Sequence, residues 1–109
     1  MKLYRVRWAE VARTDLFETV DFIAERSPRA AGHVLDQLEA RAQTLARLPT
    51  RGRIVLELRR LGITAFRGLI VDPWRIIYRV DDREVRVLAV LDGRRELVDL
   101  LLQRLLGLQ

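Results

Sequence analysis

Residues 74–91, WRIIYRVDDREVRVLAVL, constrain the fold more than any other stretch of the chain. In the first half Ile76, Tyr78 and Val80 recur at every second position. In the second half Val85, Val87, Ala89 and Leu91 do the same and are expected on one side. A period of two belongs to a strand with one buried face. Asp81-Asp82-Arg83 supplies a turn between the runs, so the stretch is predicted as an antiparallel hairpin.

The flanking sequence supplies elements to cover that hairpin. Just upstream, ITAFRGLIV reads as another strand, ended by a turn at Asp72-Pro73. RIVLELRRLG before it is ambiguous between an extended segment and a short helical turn. At the N-terminus Leu3, Arg5 and Arg7 alternate with Tyr4, Val6 and Trp8, which predicts a first strand. The period then changes. Ala9, Ala12, Leu16, Val20, Ile23 and Ala24 form an apolar stripe at helical spacing, with Asp15, Glu18 and Asp21 opposite or flanking it. Ser27-Pro28 breaks that helix at about Arg26 and suits the cap and first position of the next. The second stripe is Ala31, Val34, Leu35, Leu38, Ala42, Leu45 and Leu48, ended by Pro49 and Gly52. So short a link makes the two helices an antiparallel hairpin. RELVDLLLQRLL predicts a closing helix, with Leu97, Leu100, Leu101 and Leu105 docking on the sheet or on a partner. The order is β-α-α-β-β-β-α. That is an α+β fold, with a helical hairpin packed on a twisted antiparallel sheet, helices on one face and a C-terminal helix, in a single domain spanning residues 1–109.

Half of the residues are hydrophobic, which argues against disorder. No run of about 18 uncharged apolar residues offers a membrane span, and MKLYRVRWAE lacks the apolar core of a secretion signal. The absence of cysteine removes disulfides and thiol chemistry, and a cytoplasmic protein without metal or cofactor is expected. The net charge is +5, and Lys2 is the only lysine among 20 basic residues. Residues 1–50 carry 8 bases and 7 acids, whereas residues 51–109 carry 12 and 8, so the excess sits in the second half. Such a balance favours polyanions or acidic protein partners, or is simply a solvated basic surface.

Catalytic signatures are scarce. His33 lies mid-helix without a metal-ligating neighbour, and Ser27, the only serine, reads as a cap. No phosphate-binding glycine loop is present, and no nucleophile, base and orienting group can be named together. Arginines on strands stand out instead. Arg75 and Arg79 lie four positions apart and share a strand face; Arg67 lies on the preceding strand and Arg86 on the following one. They form either a basic patch suited to phosphates or carboxylates, or purely structural cross-strand pairs with Asp72, Asp81 or Glu84. Asp92 suits a helix N-cap, which places Arg94 and Arg95 in the first turn. Positive charge there costs roughly 0.3–1 kcal/mol per exposed residue. The two arginines either create an anion-binding corner or are neutralised by Asp92, Glu96 and Asp99.

The segments YRVRWAEVARTDLFETVDFIAERSPRAA, LARLPTRGR, ELRRLGI, PWRIIYRV and VLAVLDGRREL, in that order, resemble the RelE/ParE superfamily of bacterial toxins over almost the whole chain. The resemblance implies the same fold and a type II toxin held inactive by a cognate antitoxin in a hetero-oligomer. RelE-like members cleave mRNA on the ribosome using basic sheet residues and often a C-terminal Tyr or His; ParE-like members are associated with inhibition of DNA gyrase. Arg75, Arg94 and Arg95 match basic positions of the family. Leu100, Leu101 and Leu102 fill the region of the expected Tyr, and Asp92 stands where many relatives have His. Arginine stabilises charge but is a poor base. Tyr78 is expected in the core, opposite Arg75. The departures favour a ParE-like gyrase inhibitor over a ribosome-dependent endoribonuclease. The target- or antitoxin-binding candidates are therefore Arg67, Arg75, Arg79, Arg86, Asp92, Arg94 and Arg95.

Overall fold

The computed structural model describes residues 3–93 and 97–105. Strand β1 (Arg5–Trp8) leads into helices α1 (Glu10–Ala24) and α2 (Pro28–Gln43). A 3-10 turn (Thr44–Ala46), the two-residue strand β2 (Arg53–Ile54) and the short helix α3 (Leu56–Arg59) follow. Strands β3 (Phe66–Val71), β4 (Trp74–Asp81) and β5 (Glu84–Asp92) precede helix α4 (Leu97–Leu105). The ambiguous RIVLELRRLG stretch is thus both a strand and a helical turn.

Local chemistry sets the helix boundaries. Ser27 is extended, and its Oγ accepts a hydrogen bond from the Ala30 N–H at 3.1 Å, with Pro28 starting α2. The α1 N-cap, Ala9, makes no side-chain cap bond. Its N–H instead donates to the Val87 carbonyl at 2.8 Å, which ties the start of α1 to β5. Glu10 in the first turn complements the helix dipole.

The sheet runs β1-β5-β4-β3-β2. The β2–β3, β3–β4 and β4–β5 pairs are antiparallel, as the short connections require. Strand β1 joins β5 in parallel, so the sheet is mixed rather than wholly antiparallel. A parallel neighbour needs a long connection, and the α1–α2 hairpin is part of it.

Helices α1 and α2 cover one face. Ala12, Leu16, Leu38 and Ala42 pack there with Leu69, Ile76, Tyr78 and Val87. Contrary to the expectation that all helices share one face, α3 and α4 lie on the other. Leu58 of α3 and Leu97 and Leu101 of α4 pack there with Phe66, Ile77, Ala89 and Leu91. Leu97, Leu100 and Leu101 of the expected docking stripe of α4 therefore pack on the sheet. Leu48, expected in the second helical stripe, lies beyond the 3-10 turn and is 57% exposed.

A bulge in β5 corrects the alternation expected for that strand. Ile77 pairs with Ala89 but Tyr78 pairs with Val87, so Leu88 is extra. Val85 and Val87 face α1 and α2, as does Val90, whereas Ala89 and Leu91 face α4. One inserted residue moves the remainder of the strand to the opposite parity.

Beyond Trp8, β1 no longer pairs with β5, and side chains cover the uncovered edge. The Val90 N–H donates to Asp15 Oδ2 at 3.0 Å. Arg104 Nη1 and Nη2 donate to Asp15 Oδ2 and Oδ1 at 2.7 and 2.8 Å, and Nη1 also reaches the Leu88 carbonyl at 3.2 Å. Asp15 is therefore not a flanking surface acid: it is 9% exposed and links α1, the β5 edge and α4. This clamp blocks strand addition at that edge.

Candidate functional site

Strand parity distributes the arginines. On β4, Trp74, Ile76, Tyr78 and Val80 pack toward α1 and α2, so Arg75, Ile77 and Arg79 lie on the other face, termed the outer face, where Ile77 packs under α3 and α4. Arg75 and Arg79 share a face, as their spacing requires. Arg86 lies directly opposite Arg79 and on the same face. Arg7 of β1 lies opposite Arg86, so the three strands carry the row Arg7–Arg86–Arg79. Phe66 lies beyond Arg79 on β3, and the Arg79 guanidinium sits 5.6 Å from its ring centroid.

Arg67 is not in this group. It pairs with Tyr78 across β3–β4 and so faces the other way. Its Nη1 donates to the carbonyls of Gly52 at 2.8 Å and Thr50 at 3.3 Å, bracing the loop before β2. Asp92 also lies elsewhere. It is the last residue of β5 and pairs with Trp74, and the Gly93 N–H that follows donates to the Pro73 carbonyl at 2.8 Å; the helix start that it was expected to cap lies outside the described residues. Asp92 lines a hollow with Glu18, Phe22 and Trp74 at that end of the sheet. Arg94 and Arg95 lie outside the described residues.

The electrostatic partners differ along the outer face. Arg75 forms a two-pronged contact with Glu57 of α3, Nη1–Oε2 at 2.8 Å and Nη2–Oε1 at 3.4 Å. Those bonds hold the Glu57 carboxyl below its ordinary range, against the opposing effect of burial. Arg79 is clasped by Asp81, Nε–Oδ2 at 2.9 Å and Nη2–Oδ1 at 3.0 Å. Arg7 is 3.6 Å from Glu84, a loose and exposed pair. Arg86 is exposed, and no ion pair engages it among the described residues. Among the described residues, the cross-strand pairings expected from sequence do not engage Arg75 or Arg79: Asp81 holds Arg79 from within the same strand, and the partner of Arg75 is Glu57, which sequence reasoning did not name. Arg7 was also missed as a candidate, because only its parallel pairing with β5 brings it beside Arg86.

A second basic surface lies at the opposite sheet edge. The Val55 N–H donates to the Phe66 carbonyl at 2.9 Å, so alternate residues Phe66, Gly68 and Ile70 point their backbone groups toward β2. β2 is too short to reach Ile70. The Ile70 carbonyl instead accepts from Arg41 Nη2 at 3.3 Å, and its side chain is 64% exposed. Arg41, Arg51, Arg53 and Arg75 surround an open cleft of about 620 Å³ along this edge. These three further arginines were not singled out by sequence; Arg41 belongs to α2 and reaches the edge only through the fold.

Among the described residues, no group of three or more His, Cys, Asp or Glu is arranged to hold a metal, and no helix is long and apolar enough to cross a membrane. Glu57, the acid paired with Arg75, is held as a carboxylate by that contact. A general acid working near neutral pH needs the opposite shift. Tyr78 is buried on the other face; its hydroxyl accepts the Gly52 N–H at 2.9 Å, and burial raises its pKa.

The model of the family described as "ParE toxin of type II toxin-antitoxin system, parDE" matches residues 6–97. The chain belongs to this ParE toxin family. It is 30% identical over 77 residues to Toxin ParE3 of Caulobacter vibrioides, covering 71% of this chain and 73% of that protein. The fold is similar to that in the chromosomal ParDE toxin–antitoxin system of P. aeruginosa, with a TM-score of 0.69 at 18% identity over 83% of this chain and 96% of the other. It is also similar to a chain of the toxin–antitoxin complex RelBE2 of Mycobacterium tuberculosis, with a TM-score of 0.56 at 28% identity over 84% and 93%. The ParE family match runs from Val6 in β1 through the first described residue of α4, and so includes the outer arginine row and the open β3 edge.

Proposed function

We propose that this ParE-family toxin acts by binding, as an inhibitor of DNA gyrase, and is neutralised by a cognate antitoxin in a cytoplasmic hetero-oligomer. The observation that carries the reading is the state of Arg75, the sheet arginine at a basic position of the superfamily. It is committed to Glu57, and that acid is stabilised in its charged form rather than poised for proton transfer. Arg79 and Arg86 offer charge but no base. The expected partner has a place to dock. An extended acidic segment can add a strand beside Ile70 and set carboxylates against Arg41, Arg51 and Arg53. The test is a supercoiling assay with purified toxin and gyrase. Inhibition or trapped cleaved DNA is expected and should disappear when antitoxin is added; full supercoiling activity at excess toxin refutes the target.

The alternative is a ribosome-dependent mRNA endoribonuclease, favoured by the 28% identity to the RelBE2 chain. That reading requires codon-linked cuts in translated mRNA, lost in Arg75→Ala. Intact transcripts in growth-arrested cells exclude it.

A further inference from the structure

The row Arg7–Arg86–Arg79 sets like charges directly opposite one another on three adjacent strands. Such pairs destabilise a sheet. Neighbouring strands are about 4.8 Å apart, so the row spans roughly 10 Å between its outer Cα atoms. Asp81 compensates Arg79, and Glu84 approaches Arg7 at 3.6 Å. Arg86, flanked by arginine on both sides, has no ion pair among the described residues. Arg5 lies on the same face one alternation further along β1, opposite Glu84. With both carboxylates counted, the surface remains positive. α4 does not cover it: Arg7 and Arg86 are exposed, and the Arg79 side chain retains 40% of its exposure.

We propose that this row binds the phosphodiester backbone of a nucleic acid, independently of base sequence. Three features favour phosphates over an acidic protein segment. Protein interfaces draw their energy from a desolvated apolar and aromatic centre, and the row offers none. Phe66, whose ring lies beside the Arg79 guanidinium, is only 5% exposed. The arginines branch from neighbouring strands at a regular backbone interval, which suits a ligand of uniformly repeated charge. Arginine's planar fork also matches phosphate oxygens. None of the row's three arginines lines the cleft at the β3 edge. These arginines supply charge but no general base; contacts of this kind position a nucleic acid without reading its sequence.

The test measures anisotropy of labelled duplex DNA and of labelled single-stranded RNA with the full chain, between 50 and 200 mM salt. It contains neither gyrase nor ribosome, so its outcome does not depend on the toxin's target. Three phosphate contacts on duplex DNA predict about a fortyfold loss of affinity over that range. Arg86→Gln should reduce the loss to about twelvefold, because one contact is gone. Arg29→Gln, an exposed substitution on α2 with the same change in net charge, should retain the steeper wild-type dependence. Tighter binding of the duplex assigns the row to DNA, and tighter binding of the single strand assigns it to RNA. Binding of neither at 50 mM salt, or identical salt dependences for Arg86→Gln and Arg29→Gln, overturns the proposal.

Discussion

A Cβ on Gly52 would lie 2.7 Å from the Tyr78 hydroxyl oxygen and 2.8 Å from the Gly68 carbonyl oxygen. Neither neighbour can withdraw easily. Tyr78 is fully buried in the core, and Gly68 is held in the β2–β3 ladder. Gly52→Ala is therefore expected to cost about 1–3 kcal/mol through overpacking. Tyr78→Phe keeps the ring but removes the acceptor of the buried Gly52 N–H bond, with a similar expected cost of about 1–3 kcal/mol. Urea denaturation of both variants checks this. If Tyr78 and Gly52 form one contact, combining the substitutions should cost less than the sum of the two, since each disrupts the same pair. Additive losses would show the two sites to be independent.

The Asp15–Arg104 clamp works between elements. It joins α1 to α4 around the edge that the β5 bulge leaves at Leu88, and the hydrogen bonds that Arg104 donates to the Asp15 carboxylate hold its guanidinium more firmly protonated than usual. Removing one partner of a buried pair costs more than removing both, because the remaining charge stays desolvated. Arg104→Ala should therefore lose about 3 kcal/mol, and adding Asp15→Asn should restore part of that loss in chemical denaturation. A double variant as unstable as the summed singles would mean that the pair is not coupled. No sequence pattern announces this clamp, since the partners are 89 positions apart. The hairpins and the Ser27 cap, by contrast, were legible because their signals are local. The bulge was not. VLAVL is apolar at every position, so alternation cannot show which residues face which layer. The shared face of Arg75 and Arg79 followed from parity, but Arg86 and Arg7 joined their row through strand register, which sequence alone does not fix. Arg67 was separated from them for the same reason.

At the scale of the whole molecule, titration delimits the stable range. Glu57 is held below its ordinary value of 4.5 by Arg75. Its contribution is present above that value in the folded protein and is lost as pH falls through the lowered one. Tyr78 is held above its ordinary value of 10.0 by burial. Its neutral form stabilises the fold fully below that value, and the contribution is lost as pH rises through the raised one. These two groups leave a plateau in Tm between the acid and alkaline limbs. Glu57 is partly exposed, so its limb should be shallow; Tyr78 is at 0% exposure, so its limb should be steeper. Thermal melts across pH should show the alkaline limb flattening in Tyr78→Phe and the acid limb flattening in Glu57→Gln, each variant leaving the other limb in place. Because Glu57 and Tyr78 lie on opposite faces of the sheet, a variant that altered both limbs would indicate that the two layers unfold as one coupled unit rather than responding to these groups separately.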